Sequence, residues 1–213
     1  MIEIIPAILA HSKSQLKEEL ALFSPLFSTA QLDIMDGRFV GNKTITASAF
    51  KGLRPKMKFE VHLMVKDPLK HAKAFSRMKY VKRILFHYEA CKDDQEILDV
   101  ISFCRKNKLE VGLAINPSTD VDKILHLLPL LDAVLVMGVT PGWSGQRFRP
   151  TTLKRLSQLR RLDKKVKLQF DGGVNRKTIK AIVKAGAQRI AVRSALMAGD
   201  LKANKKLLQS LVH

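Results

Sequence analysis

Eight short runs rich in β-branched and apolar residues recur along the whole chain, and each has the length of a β-strand. They occupy residues 3–10, 29–35, 58–65, 81–89, 109–116, 131–138, 166–171 and 189–194. Between these runs lie segments whose apolar residues recur at the spacing of an amphipathic helix. Strand-sized runs that alternate with helical segments are typical of βαβ units, so the sequence predicts a parallel sheet in an α/β fold.

The helical segments follow the strand runs closely. Residues 14–23 place Leu16, Leu20 and Phe23 on one apolar stripe, which predicts a helix. The other predicted helices have similar spacing and cover residues 95–105, 120–128, 151–161, 178–185 and 201–211. The connection after the second strand is ambiguous, although residues 47–53 have the composition of a short helix.

Eight such units in 213 residues fit a closed barrel better than an open sheet, because (β/α)8 barrels run from roughly 200 residues upward. An open doubly wound sheet would carry a glycine-rich phosphate fingerprint after its first strand. This chain has Ala10, His11, Ser12 and Lys13 there. No linker rich in Gly, Ser or Pro divides the chain, so we predict a single-domain (β/α)8 TIM barrel over residues 1–213.

Composition narrows the class of protein. Apolar residues make up 46% and charged residues 27% of the chain, which excludes disordered and collagen-like classes. No apolar stretch approaches the ~18 residues of a membrane span, and the N-terminus lacks the basic region of a signal peptide. Cys91 and Cys104 are too few for a disulfide scaffold. We therefore expect reduced thiols, a cytoplasmic location and no membrane partner.

Positive charge is the unusual feature of the composition. The formal net charge is +19, and residues 151–213 hold 16 Lys and Arg against 3 Asp and Glu. A basic region attracts anions such as phosphorylated metabolites or nucleic acid. It has no interleaved aromatic residues, which counts against single-strand binding. A solvated basic surface and the attraction of a small phosphate ester both stay open, and nucleic acid is the less favoured partner.

Polar side chains lie near the C-terminal ends of several predicted strands, where barrel enzymes keep their active sites. They are Gln31, Asp33, His62, His87, Glu89, Asn116, Asp171 and Ser194. On the second strand, alternation places Gln31, Asp33 and Met35 on one face, with Asp36 already in the turn. Buried strands should be apolar, so these side chains need an explanation, although we expect His87 to be structural.

Two of the carboxylates, Asp33 and Asp171, end well-separated strands and would approach each other if both faced inward. They would then repel each other unless a cation lay between them. His62 offers an imidazole near the same place, and two Asp with one His suit a divalent ion such as Zn, Mn, Fe or Co. The alternative is that Asp33 caps a turn and His62 is a satisfied core histidine.

Glycine-rich turns follow the sixth and seventh predicted strands, at residues 140–146 (TPGWSGQ) and 172–175 (GGVN). Glycine lets backbone N–H groups approach and cradle a phosphate, and barrel enzymes often hold a phosphate at the last loops. Plain tight turns are the alternative. Trp143, the only tryptophan, is either a loop anchor or a cover over a substrate.

Several segments together resemble one family. LDIMDGRFVGNKT, FEVHLMVKDP, FHYEA, GLAINPST, VMGVTPGWSGQRF and FDGGVN occur in the order and spacing of ribulose-phosphate 3-epimerases. The resemblance extends from IIPAILA to VRSAL. It implies a (β/α)8 barrel that interconverts D-ribulose 5-phosphate and D-xylulose 5-phosphate in the pentose phosphate pathway. It also implies a bound divalent metal (Zn, Fe, Mn or Co) and a homo-oligomer.

The resemblance also implies roles for individual residues. Asp33 and Asp171 are the acid and base on opposite sides of C3 of the sugar, and with His62 they hold the metal. The implied substrate and phosphate contacts come from His62, Gly142, Trp143, Ser144, Gly145, Gly172, Gly173, Arg193 and Ser194.

The chain departs from the family pattern within this site. Gln31 replaces a metal-ligating His, and an amide oxygen would be a weaker fourth ligand. Arg193 replaces a Gly, so its guanidinium either binds the phosphate directly or obstructs the pocket. Further replacements are Ala7, Ala10, Gly41 and Ser144. Activity on another ketose phosphate, or a weakened barrel that binds polyanions, stays open as an alternative function.

Overall fold

Eight parallel strands close into a barrel in chain order in the computed structural model, which describes residues 2–212. The strands are β1 (Glu3–Ile8), β2 (Thr29–Met35), β3 (Lys58–Met64), β4 (Val81–His87), β5 (Glu110–Ile115), β6 (Ala133–Met137), β7 (Lys167–Asp171) and β8 (Arg189–Val192). Each predicted strand is present, and several end earlier than the apolar run does. The predicted fold class, a (β/α)8 barrel, is confirmed.

Helical segments alternate with the strands. The α-helices are α1 (Lys13–Phe23), α2 (Pro68–Phe75), α3 (Asp94–Lys106), α4 (Thr152–Leu162), α5 (Ile179–Lys184), α6 (Ser194–Met197) and α7 (Leu201–Ser210). Three 3-10 helices cover Ala47–Phe50, Tyr88–Ala90 and Val121–Leu130. Across the described part of the chain, none of the helices is both long and apolar enough to span a membrane.

Two helical features differ from the sequence analysis. It predicted no helix between β3 and β4, yet α2 forms there, with Pro68 in its first turn and the Asp67 carboxylate accepting the Lys70 N–H at 3.0 Å. Both are recognised start signals. The helix predicted at residues 120–128 is a 3-10 helix that contains Pro129, a residue that has no N–H to donate to an α-helical ladder.

The chain divides into two compact units. The first comprises Pro6–Leu113, and the second comprises residues 2–5 and 114–212. In the first unit β2 and β3 pair along their whole length, with Asp33 opposite His62. In the second unit β6 and β7 pair from Ala133 opposite Lys167 to Met137 opposite Asp171. One domain over residues 1–213 stays a prediction.

A buried ionic cluster joins three strands of the first unit. The Arg83 side chain is 2% exposed and donates from Nη1 to Glu60 Oε2 at 3.0 Å. Its Nη2 pairs with Glu110 on β5. Lys82, the preceding residue, also pairs with Glu110 at 3.5 Å, but its side chain is 59% exposed. Glu110 therefore pairs with two cations, the buried Arg83 and the solvated Lys82.

Arg83→Met should lower the free energy of unfolding by about 3 kcal/mol, because it removes the guanidinium paired with the buried Glu60 carboxylate. Lys82→Met removes a positive charge one residue away and should change the free energy of unfolding by less than about 1 kcal/mol, because the lysine is solvated. Urea unfolding followed by circular dichroism measures both. Equal losses for the two variants would contradict a special role for the buried pair.

Candidate active site

The centre of the candidate site is a buried pair at the C-terminal ends of β2 and β3. Asp33 and His62 are direct neighbours in the strand register. The Nδ1 atom of His62 lies 3.1 Å from Oδ1 of Asp33, and both residues are buried. Thr44 fixes the strand end, because its hydroxyl donates to the Asp33 carbonyl at 2.8 Å and accepts the Met35 N–H at 2.9 Å.

Gln31 shares a strand face with Asp33 and lies against the same pair. Its Nε2 donates to Asp33 Oδ1 at 2.8 Å and lies 3.4 Å from Nδ1 of His62. In this orientation the amide nitrogen, not the oxygen, faces the carboxylate. Metal ligation by Gln31 requires its carboxamide to turn over, and it stays a prediction.

His62 also contacts His87 on β4. The Nε2 atoms of His62 and His87 lie 2.9 Å apart, and the two rings stack with their centroids 5.1 Å apart. On the far side, Nδ1 of His87 lies 3.3 Å from Oε2 of Glu89. From the sequence, His87 was expected to have only a structural role, and its contact with His62 was not predicted. The available signal was the segment FHYE at a strand end.

Asp36 is the second aspartate of the LDIMD segment, and it holds the turn. Its Oδ1 accepts the N–H groups of Arg38 and Phe39 at 2.8 and 3.0 Å, and its Oδ2 accepts that of Lys66 at 2.9 Å. Burial acts to raise the pKa of Asp36, but these backbone donors outweigh it and the pKa is lowered. Alternation along β2 correctly separated this turn carboxylate from Asp33.

In the second unit, Asp171 ends β7 and is half-buried. Its carbonyl oxygen accepts the Gly138 N–H at 2.6 Å. A Cβ atom at Gly138 would lie 2.3 Å from the Gly172 carbonyl oxygen and 2.6 Å from the Phe170 ring. The end of β6 can approach the end of β7 this closely only because residue 138 has no side chain.

The second predicted glycine turn packs against the residues on either side of the first, Val139 and Phe148. Gly142, Gly145, Gly172 and Gly173 all have positive φ, from 69° to 122°. A Cβ atom at Gly173 would lie 2.7 Å from Phe148 Cα, so the loop after β6 packs on the loop after β7. Trp143 is 61% exposed in the first of these loops, and its neighbour Ser144 is also exposed. The indole is therefore not a buried loop anchor.

Arg193 and Ser194 follow β8, at the start of α6. Arg193 is half-buried, and its carbonyl accepts the N–H groups of Leu196 and Met197 at 3.0 and 3.1 Å. Ser194 is exposed. Both residues were predicted to lie on the last strand, but β8 ends at Val192 and the short helix α6 was not predicted.

Cys91 lies two residues after Glu89. Burial, reinforced by the carboxylates of Glu96, Asp93 and Glu89, raises the pKa of the Cys91 thiol to about 12. A thiol with this pKa is protonated at neutral pH and is a poor nucleophile. Cys91 is therefore not a candidate nucleophile.

Three of the predicted ligands could hold a metal ion. Asp33, His62 and Asp171 each offer one ligand atom, and these atoms lie within 4.8 Å of one another. Two carboxylate oxygens and one imidazole nitrogen suit a divalent ion of the Zn, Mn, Fe or Co type. An ion would also offset the repulsion between the two carboxylates. The donor set therefore fits the metal that the sequence implies.

Comparison with known proteins gives one family. The sequence model of the ribulose-phosphate 3-epimerase family matches residues 3–197. Ribulose-phosphate 3-epimerase from Eremothecium gossypii is 34% identical over 180 residues, covering 78% of this chain and 74% of that protein. The Bacillus subtilis protein of the same name is 31% identical over 204 residues and 92% of each chain. Among solved structures, 3-hexulose-6-phosphate synthase from Salmonella typhimurium has a TM-score of 0.73 at 13% identity, covering 99% of this chain and 98% of that one. This last likeness shows the fold alone.

Gly173→Ala should destabilise the protein by more than about 2 kcal/mol, because overpacking against the Phe148 backbone adds to the strain of positive φ. Gly52→Ala is the matched control, since Gly52 has a φ of +79° but no atom lies within 4 Å of its Cβ position. It should cost only about 1 kcal/mol, the backbone strain itself. Thermal and urea unfolding measure both, and equal losses would contradict the close packing of the two loops.

Proposed function

The chain belongs to the ribulose-phosphate 3-epimerase family, and on that premise we propose that it interconverts D-ribulose 5-phosphate and D-xylulose 5-phosphate through an enediolate. The family supports epimerase activity. The observation that carries the finer proposal is the grouping of Asp33, His62 and Asp171. Two carboxylates and an imidazole at strand ends are the side chains that proton transfer at a carbon next to a carbonyl requires.

In the proposed reaction, Asp33 and Asp171 act on opposite faces of C3. One carboxylate removes the C3 proton, and the electron pair left behind is delocalised into the neighbouring carbonyl, giving the enediolate. The other carboxyl group returns a proton to the opposite face, which inverts the configuration. The position of Asp33 supports this role, because the carboxylate is held at the strand end beside His62, as a general base must be held in place.

The proposed metal ligands are Asp33, His62 and Asp171, with the Gln31 amide oxygen as a fourth ligand once its carboxamide has turned. When bound, a divalent ion supplies Lewis-acid stabilisation of the negative charge that develops on the substrate oxygens. His62 contributes an orienting contact, because its ring is buried and fixed against His87.

For the phosphate, we propose a cradle formed by the loops after β6, β7 and β8. Its members are Gly142, Trp143, Ser144, Gly145, Gly172, Gly173, Arg193 and Ser194. The packing of Gly172 and Gly173 against Val139 and Phe148 supports this part of the proposal, because it holds the loop after β7 against the loop after β6. The exposed Trp143 ring would cover the bound sugar phosphate. A cytoplasmic location and homo-oligomeric assembly stay predictions of the family resemblance.

The decisive test is NMR of D-ribulose 5-phosphate in D2O with purified protein and Zn, Mn, Fe(II) or Co added in turn. We expect deuterium at C3 and the appearance of xylulose 5-phosphate. Asp171→Asn should slow interconversion by about 10²–10⁴-fold, the usual contribution of a general acid or base. The exposed Asp122, which accepts from Gln158, provides the control, and Asp122→Asn should leave the rate unchanged.

Each other outcome of that experiment has a definite meaning. Exchange at C3 without inversion would mean that only one of the two aspartates transfers protons. No exchange with any of the four ions would contradict the pentose-phosphate reaction. Turnover of six-carbon ketose phosphates alone would then show a changed substrate.

Arg193→Ala should raise KM for the sugar phosphate about tenfold and leave kcat nearly unchanged, because the variant loses a charge-assisted contact that holds the substrate throughout the reaction. Lys177→Ala is the control, since it removes an equal charge from an exposed position after β7. An equal rise in KM for both variants would indicate long-range attraction. An unchanged KM for Arg193→Ala would contradict a direct phosphate contact.

A further inference from the structure

Four side chains form a line of contacts that leads away from the proposed metal site. It runs from Asp33 Oδ1 to His62 Nδ1 at 3.1 Å, from His62 Nε2 to His87 Nε2 at 2.9 Å, and from His87 Nδ1 to Glu89 Oε2 at 3.3 Å. A carboxylate stands at each end and two imidazoles lie between them. All three contacts lie within the first compact unit.

The number of protons in this line is limited. Two neutral imidazoles carry one N–H each, and an ionised carboxylate carries none. Only two protons are therefore available for the three contacts, so one contact has no proton and brings two acceptor atoms together. The central contact between Nε2 of His62 and Nε2 of His87 needs one of the protons, so the unfilled contact is at one end of the line.

The two possible arrangements differ in their consequence for the metal. If His62 donates to Asp33, its Nδ1 carries a proton and cannot bind an ion, and the His87–Glu89 contact is unfilled. If His87 donates to Glu89, His62 donates from Nε2 to His87. No proton then lies between His62 Nδ1 and Asp33 Oδ1, and a lone pair of each atom points into the space between them. A cation fits the second arrangement.

We propose that Glu89, acting through His87, holds the proton of His62 on Nε2 and so keeps Nδ1 available as a metal ligand. His87 and Glu89 are thus positioning residues. The inference rests on the metal site of the proposed function and extends it by one imidazole and one carboxylate. Histidine ligands commonly donate their second ring N–H to a neighbouring acceptor, which fixes the tautomer and raises ligand basicity.

The surroundings of the line favour this arrangement. Gln31 Nε2 is a donor and lies 3.4 Å from His62 Nδ1, a placement that matches an unprotonated Nδ1. Both imidazoles are fully buried, and the Phe39 ring lies 5.0 Å from that of His87. Solvent therefore does not compete strongly for the ring nitrogens. The 3-10 turn at Tyr88–Ala90 brings Glu89 back towards the His87 ring.

The first test is the affinity of the metal-free protein for Zn²⁺, measured by titration calorimetry or by competition with a chromophoric chelator. Glu89→Gln should weaken binding about tenfold or more, the usual effect of removing such an outer carboxylate. Glu96→Gln is the control, because it makes the same change at a carboxylate that is more exposed than Glu89 and pairs with Lys92. Equal affinities of Glu89→Gln and the unaltered protein would overturn the proposal.

The second test reads the proton directly. Long-range ¹H–¹⁵N spectra of the metal-free protein should show the His62 proton on Nε2 and the His87 proton on Nδ1. A proton on His62 Nδ1 in the unaltered protein would overturn the inference whatever the metal affinities. His87→Phe, which keeps a stacked ring but has no nitrogen, should also weaken Zn²⁺ binding, and its thermal unfolding shows whether the fold is kept.

The two proposals fail in different ways. An unaltered protein that binds no Zn²⁺, Mn²⁺, Fe²⁺ or Co²⁺ would contradict the proposed metal site. An unaltered protein that binds an ion as tightly as the Glu89→Gln variant does would keep the metal site and remove the role of Glu89.

Discussion

The buried contact between Asp33 and His62 is the interaction on which the arrangement of the first unit's polar groups depends. A carboxylate that is almost completely removed from water is costly unless donors or a cation compensate it. Here the Gln31 amide on the same strand donates to Asp33, and the His62 ring on the neighbouring strand lies 3.1 Å from it, where a bound cation would complete the compensation. It requires β2 and β3 to pair with Asp33 opposite His62, because a slip of one residue would turn one of the two side chains to the other face of the sheet.

The same register places a second polar pair two residues earlier on each strand. Glu60 on β3 stands opposite Gln31 on β2 and opposite Arg83 on β4. Alternation puts Glu60 on the same face as His62, and Arg83 on the same face as His87. The Glu60–Arg83 ion pair and the Asp33–His62 contact therefore follow from one pattern of strand pairing. The ends of β3 and β4 nearer the site carry His62 and His87, while Arg83 lies nearer the opposite end of β4.

The sequence predicted the strands well because each is an almost continuous apolar run, which is how a strand buried on both faces is expected to look. Helix α2 was not predicted, because its eight residues include two lysines and show little hydrophobic periodicity. Asp67 and Pro68 are nevertheless a recognisable N-cap and first helical residue. The sequence identified Asp33, His62 and Asp171 from their places at strand ends. It did not connect His62 with His87, because periodicity gives the face of a residue and not its partner across strands. The pairing of β3 with β4 shifts register between Phe59 and Glu60, and no sequence pattern predicted this shift.

Gln31 shows how one residue changes the balance at such a centre. An imidazole at this position would offer a lone pair, whereas the amide nitrogen offers protons to Asp33 and lies beside His62. An ion in the proposed site would compete with this amide for the Asp33 carboxylate, and the competition would lower its net affinity. In the proposed arrangement the His87–Glu89 pair would act in the opposite direction, because it would strengthen His62 as a ligand. The affinity of the proposed site would then depend on both a weakened contact on β2 and a reinforced one on β3.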